Sequence, residues 1–168
     1  TAINNTGLSF LVYERDTDNN YIQYSYGGGI LHTITDGAKR TVKLGRDEGA
    51  GVRRFLKSIT YDEHTVQVEY TDWKYLSKIT YPDGTWASYS YDSSHRLTKV
   101  LNSDGTGVEY EYQSNPRYAS ERNRVVKMTQ LYNTSSKGGM VSISYGSDNT
   151  TTIVTDSKRT GDTSTDQT

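Results

Sequence analysis

Apolar and polar residues alternate with a period of two over short stretches that recur along this chain. Ile22, Tyr24 and Tyr26 alternate with Gln23 and Ser25, and Val66, Val68 and Tyr70 with Gln67 and Glu69. The same form returns as Ala87, Tyr89, Tyr91, as Val108, Tyr110, Tyr112, and as Val141, Ile143, Tyr145. Alternation of this kind predicts strands with one face on a core and the other toward solvent. A partner segment, apolar-x-x-apolar, precedes or follows each one: Leu31 and Ile34, Leu56 and Ile59, Leu76 and Ile79, Leu97 and Val100, Val125 and Met128. A spacing of three sends two side chains to opposite faces of a regular strand. Either the Leu sits at the turn and folds under, or both faces are partly covered; the pattern leaves both open.

Turn residues separate the two kinds of segment. They are Asp36-Gly37, Asp62-Glu63, Pro82-Asp83-Gly84, Asp104-Gly105 and Gly138-Gly139. Asp-Gly accepts the positive φ of tight hairpin turns. The clearest copies repeat every 21 residues, from Leu76 to Leu97, Gly84 to Gly105 and Tyr89 to Tyr110. A fixed period marks units that need their neighbours to bury an apolar face. The predicted fold is all-β: an antiparallel meander of repeated hairpins forming a curved sheet, with Tyr89, Tyr91, Tyr110 and Tyr112 in one row on its inner face. No segment keeps a helical period. One repeat region is expected over 1–155, clearest over 54–112, followed by a polar tail over 156–168 that reads as cut from a following repeat. Stretches Lys43 to Arg54, Gln113 to Arg124 and Leu131 to Gly139 read as insertions, and Leu8 to Leu11 as a degenerate partner of the Ile22 strand.

Composition sharpens this picture. Only 32% of the 168 residues are hydrophobic, and Tyr supplies 15 against 2 Phe and 2 Trp. Tyrosine is therefore the main core material, which suits a thin sheet better than a thick globule. A net charge of −1 gives no field favouring nucleic acid. Cys is absent, which excludes disulfides and thiolate metal sites. No apolar run approaches the roughly 18 residues of a membrane helix.

Candidate chemistry is sparse. His32, His64 and His95 each fall at a different phase of the repeat, with no zinc spacing. The stretch Asp16 to Asn20 alternates oxygen donors like a calcium loop but lacks the Gly and distal Glu of an EF-hand, so it reads as a polar hairpin loop. Gly27-Gly28-Gly29 has no following helix and reads as a turn rather than a phosphate cradle. No metal or cofactor is expected, and no catalytic residue. Trp86 stands apart. Parity places it on the polar face with Ser88 and Ser90, as a platform for a sugar ring or as a cover for Gly107 of the next repeat. Trp73, in the turn ending at Tyr75, either caps the sheet edge or meets a ligand. Trp86, Trp73 and Tyr75 are the candidate carbohydrate-binding residues.

The run Tyr91-Asp92 to Arg96-Leu97-Thr98-Lys99-Val100, followed by Asp104-Gly105 and Tyr110 to Tyr112, resembles the YD repeat of bacterial Rhs proteins, whose relatives include toxin-complex shell proteins and teneurins. The Tyr-Asp pair stands at Tyr61-Asp62 and Tyr91-Asp92, and is replaced at Tyr70-Thr71, Tyr112-Gln113 and Tyr26-Gly27. The family's terminal core motif and self-cleaving segment have no counterpart here. The resemblance implies a β-sheet spiralling into a shell, a secreted or cell-surface location, and neighbouring repeats as partners. The expected function is a non-catalytic structural segment of such a scaffold. The alternative is a module that binds a glycan or cell-surface partner through exposed aromatics.

Overall fold

The computed structural model describes residues 2–3, 9–47, 55–72, 74–114, 121–134, 136–146 and 150–156. Thirteen strands follow one another in chain order in an antiparallel meander, so the predicted all-β hairpin fold stands. Among the described residues no helix is long and apolar enough to cross a membrane. The chain divides into two compact units, Thr1–Lys74 with Ile79–Gly84, and Tyr75–Lys78 with Thr85–Thr168.

The first unit opens with a two-stranded sheet, β1 (Ala2–Ile3) and β2 (Ser9–Phe10). Its meander runs through β3 (Tyr13–Arg15), β4 (Tyr21–Gly27), β5 (Ile30–Asp36), β6 (Thr41–Arg46), β7 (Leu56–Tyr61) and β8 (His64–Thr71). Two expectations are corrected here. The partner of the Ile22 strand is Tyr13–Arg15, while Ser9–Phe10 pairs with Ala2–Ile3. The supposed insertion from Lys43 begins inside β6. Val42 and Leu44 occupy the alternate places in that strand, but Arg46 stands where the other strands carry Tyr, which hid it.

The second unit holds the start of β9 (Tyr75–Thr80) and then β10 (Trp86–Tyr91), β11 (Leu97–Asn102), β12 (Gly107–Tyr112), β13 (Val125–Leu131), β14 (Lys137–Tyr145) and β15 (Thr151–Asp156). Gly138-Gly139 lies within β14 rather than in a turn. A Cβ at Gly138 would sit 2.8 Å from the far edge of the Tyr132 ring. β15 lacks the signal of the other partner strands, because Thr151 faces Tyr145 where those strands carry Leu or Val. The expected polar tail therefore starts within β15 at Asp156, and the rest of it lies outside the described residues.

In four of the five partner segments the odd spacing of three reflects a bulge. In β10–β11, Ser90 pairs with Lys99 but Tyr91 pairs with Leu97, so Thr98 is an extra residue in the ladder. Tyr89 pairs with Val100. The bulge thus returns Leu97 and Val100 to the face of Tyr91 and Tyr89. The same shift leaves His32 extra between Leu31 and Ile34, Lys57 between Leu56 and Ile59, and Val126 between Val125 and Met128.

The register also corrects the predicted tyrosine row. Tyr89, Tyr91, Tyr110 and Tyr112 share a face, but their cross-strand partners are aliphatic: Val100, Leu97, Met128 and Val125. The core is thin. Only Val68, Ala87 and Leu131 are buried hydrophobics among the described residues, and the tyrosines of this face are half-buried. The opposite face of the second unit carries the ion pairs, with Glu109 bound to both Lys99 and Lys137, and Glu111 to Lys127, beside Leu101 and Leu131.

Candidate functional site

The hairpin geometry builds one arrangement repeatedly. The ladder between β11 and β12 covers Lys99 to Leu101, so the Leu97 carbonyl lies beyond it. The Tyr112 hydroxyl donates to that carbonyl at 2.7 Å, and the Arg96 guanidinium lies 4.6 Å over the Tyr112 ring. Two consecutive residues therefore hold one tyrosine, the first by its side chain and the second by its backbone. Arg124 and Val125 hold Tyr145 in the same way, with the guanidinium at 4.9 Å and the hydroxyl bond at 2.9 Å. Tyr75 and Leu76 hold Tyr91, with rings 5.3 Å apart and a 2.9 Å bond. Phe10 and Leu11 hold Tyr26, at 4.9 Å and 2.9 Å. Phe55 packs against Tyr70 at 4.9 Å. Both phenylalanines of the chain serve this clasp. A partly buried Tyr needs a partner for its hydroxyl, and the carbonyl beyond the ladder needs a donor.

The turns are a second repeated device. Asp92 Oδ1 accepts from the backbone N–H of Ser94 and of Arg96, and Oδ2 accepts from Arg96 Nε at 2.7 Å. His95 completes the loop at φ 62°. Asp36 repeats this with Ala38, Arg40 and a left-handed Lys39, and Asp16 with Asp18, Asn20 and a left-handed Asn19. The calcium-like run at Asp16 is thus a hairpin turn whose carboxylate is occupied by its own loop. These hydrogen bonds hold the three carboxyls below their ordinary range. The leading cause is the Arg96 backbone N–H for Asp92, the Arg40 side chain for Asp36 and the Asn20 side chain for Asp16. Asp62 differs. It sits at φ 53° in a two-residue turn between Tyr61 and His64, so Tyr61-Asp62 is not the geometric counterpart of Tyr91-Asp92. Gly28 and Gly29 form another two-residue turn, between β4 and β5.

The three candidate sugar-binding residues do not form one platform. Trp86 begins β10 on the polar face, half-buried, with Lys78 Nζ 5.4 Å from its ring. Leu101, which pairs with both Ser88 and Gly107, lies between Trp86 and Gly107 on that face. Gly107 is bare for a different reason: a Cβ there would run into the Val100 carbonyl. Tyr75 begins β9, at the other end of the antiparallel hairpin, stacked 4.6 Å from the His95 ring and tilted against Tyr91. Trp73 lies outside the described residues. Among the described residues no group of three or more His, Cys, Asp or Glu is placed to hold a metal ion.

A groove of about 700 Å³ on the second unit has no local signal in the sequence. Val100, Val108, Met128 and Val141 give it an apolar floor, Tyr110 a ring, and Asn102 and Gln130 two amides. No lining side chain is charged. Such a surface can take a neutral ligand with one flat apolar face and a polar rim. The groove gathers residues from four strands, so no local motif announces it. Comparison with protein-family models and with curated proteins found no match.

Proposed function

We propose that the chain is a non-catalytic structural segment of an extracellular scaffold or encapsulating shell built from YD repeats. The observation that supports this most is the recurring clasp, in which a tyrosine is held by the side chain and carbonyl of two successive residues. The bulge returns with it in β10–β11 and β12–β13. The clasps at Tyr91, Tyr112 and Tyr145 each join neighbouring strands, so stability is spread over repeated nearest-neighbour contacts rather than concentrated around one site. The Asp-centred turns have the same character, because their carboxylates are committed to loop backbone.

A second reading, a module that binds a neutral saccharide, is favoured by the uncharged groove beneath Tyr110. Titration of the chain with simple sugars, followed by tryptophan fluorescence and calorimetry, separates the two. The structural reading expects no saturable signal. Saturable binding that is lost in Tyr110→Ala and kept in Trp86→Ala, each with an unchanged circular dichroism spectrum, would favour the second reading.

A further inference from the structure

Among the described residues, the strands from β10 to β14 pack only on their neighbours in the chain. Two hairpins in this stretch have their mouths on the same edge. Ala87 pairs with Asn102 at the mouth of β10–β11, and Gly107 with Leu131 at the mouth of β12–β13. The turn from Asn102 to Thr106 joins the two hairpins at that edge. The opposite edge closes them, with the Asp92 turn on one and the connection from Tyr112 to Val125 on the other. The clasps of Tyr91, Tyr112 and Tyr145 lie at the closed edge and leave the mouths unbraced. The first mouth is held by ladder bonds, with the Ser103 N–H donating to the Trp86 carbonyl at 2.8 Å. No residue of β10 is charged, so no ion pair ties it to β11. The second hairpin is braced further: Glu111 binds Lys127 across it, and Glu109 reaches over β13 to Lys137 on β14.

We propose that this stretch is a tension-extensible element. Force drawn across its strands opens the β10–β11 hairpin from its mouth, then β12–β13, and both reclose when the force falls. The hydrogen bonds of an antiparallel ladder run across the strands. Tension across the strands at the mouths therefore pulls along these bonds and reaches one pair at a time. Tension along the strands loads every pair of a ladder together. The β11–β12 ladder is the shortest of the three, with three pairs, but its own turn closes it at the loaded edge. The hairpins open separately because each depends on its neighbours rather than on a shared core. The Asp92 turn keeps β10 and β11 in register for reclosure. The inference concerns the mechanics of the ladder and does not rest on the proposed function.

The test pulls the full chain in optical tweezers. The chain has no Cys, so a pair of Cys substitutions fixes where the handles attach. Thr85→Cys with Thr134→Cys places both handles at the edge of the mouths. Ser94→Cys with Thr134→Cys places them at opposite edges and loads β11 to β13 lengthwise. All three positions are exposed, and both variants should keep the native circular dichroism spectrum. The first pair should open at a force about threefold lower, because the shortest ladder loaded lengthwise shares the load over three pairs. Its extension, about 170 Å of chain in all, should come in separate steps and be recovered on relaxation. Glu109→Gln added to the first pair should lower the force of a later step and leave the first step unchanged. A single step of the full length, equal forces for the two handle pairs, loss of recovery, or a first step weakened by Glu109→Gln would each overturn the proposal.

Discussion

Arg96 lies 4.6 Å over the ring of Tyr112, while its Nε is bound to Asp92 at 2.7 Å. One side chain thus ties the turn after β10 to the tyrosine of β12. A double-mutant cycle on Arg96→Ala and Tyr112→Ala, read by chemical denaturation, should give a coupling of about 0.5–1 kcal/mol. Additive effects would mean that the stack contributes nothing.

Tyr75 belongs to the same device, because its ring packs on Tyr91 and His95. Phe fills the equivalent place at Phe10 and Phe55. Tyr75→Phe should therefore leave stability within about 0.5 kcal/mol, and Tyr75→Ala should cost roughly 2 kcal/mol, less than a fully buried aromatic. Thermal melts of both variants decide this. Equal loss in the two would show that the Tyr75 hydroxyl matters instead.

The bulge at Thr98 makes a sharper demand. Thr98→Ala removes a 3.2 Å exposed hydrogen bond to the Ser90 carbonyl and should cost little, about 0.5 kcal/mol. Deleting Thr98 removes the bulge and leaves Leu97 two places from Val100, so both stay on the face of Tyr91 and Tyr89. The deletion should keep a cooperative transition, with a midpoint close to that of Thr98→Ala. A deletion variant that loses the transition would contradict the register.

Stability should fall at both extremes of pH, for opposite reasons. The Asp16, Asp36, Asp92 and Asp104 carboxyls titrate below their ordinary value in the folded chain, held by side chains and backbone N–H groups of their own loops. Their contribution is complete above the unfolded carboxylate value near pH ~4, and is lost as pH falls through the lowered folded values. Burial raises the Tyr91 and Tyr112 hydroxyls. Their contribution is complete below about pH 10 and is lost as pH rises through the raised values. The melting midpoint should be flat between these limits. Asp92→Asn should shrink the acid-side fall, and an unchanged acid limb would remove Asp92 from the account.

The hairpins were legible because alternation and Asp-Gly turns are local signals. Gly105 shows the link: it takes φ 85° and is packed against the Asn133 backbone, which asks for Gly twice over. β6 is hidden because Arg46 replaces the tyrosine, and β15 because Thr151 replaces the Leu or Val of the other partner strands. The spacing of three in Leu97 and Val100 was visible, but a bulge is defined by the facing strand, so its meaning was not. The clasp was half visible. In four of the five partner segments the residue before the first apolar position is Phe55, Tyr75, Arg96 or Arg124, which share flat, ring-covering groups rather than hydrophobicity, and in the fifth it is Ile30. Read as a hydropathy pattern, Phe and Arg look unrelated. The uncharged groove depends on how four strands align, which no single stretch of sequence encodes.

The most direct test of the repeated clasp compares tyrosine hydroxyls within one face. Tyr91, Tyr112 and Tyr145 donate to the carbonyls of Leu76, Leu97 and Val125. Tyr89 and Tyr110 share that face, and among the described residues their hydroxyls make no such bond. Each Tyr→Phe change removes one oxygen and leaves the ring. Urea denaturation of the five single variants should show losses of about 1–2 kcal/mol at positions 91, 112 and 145, and changes within about 0.5 kcal/mol at 89 and 110. Five indistinguishable variants would contradict the clasp, and with it the account of a sheet held together hairpin by hairpin.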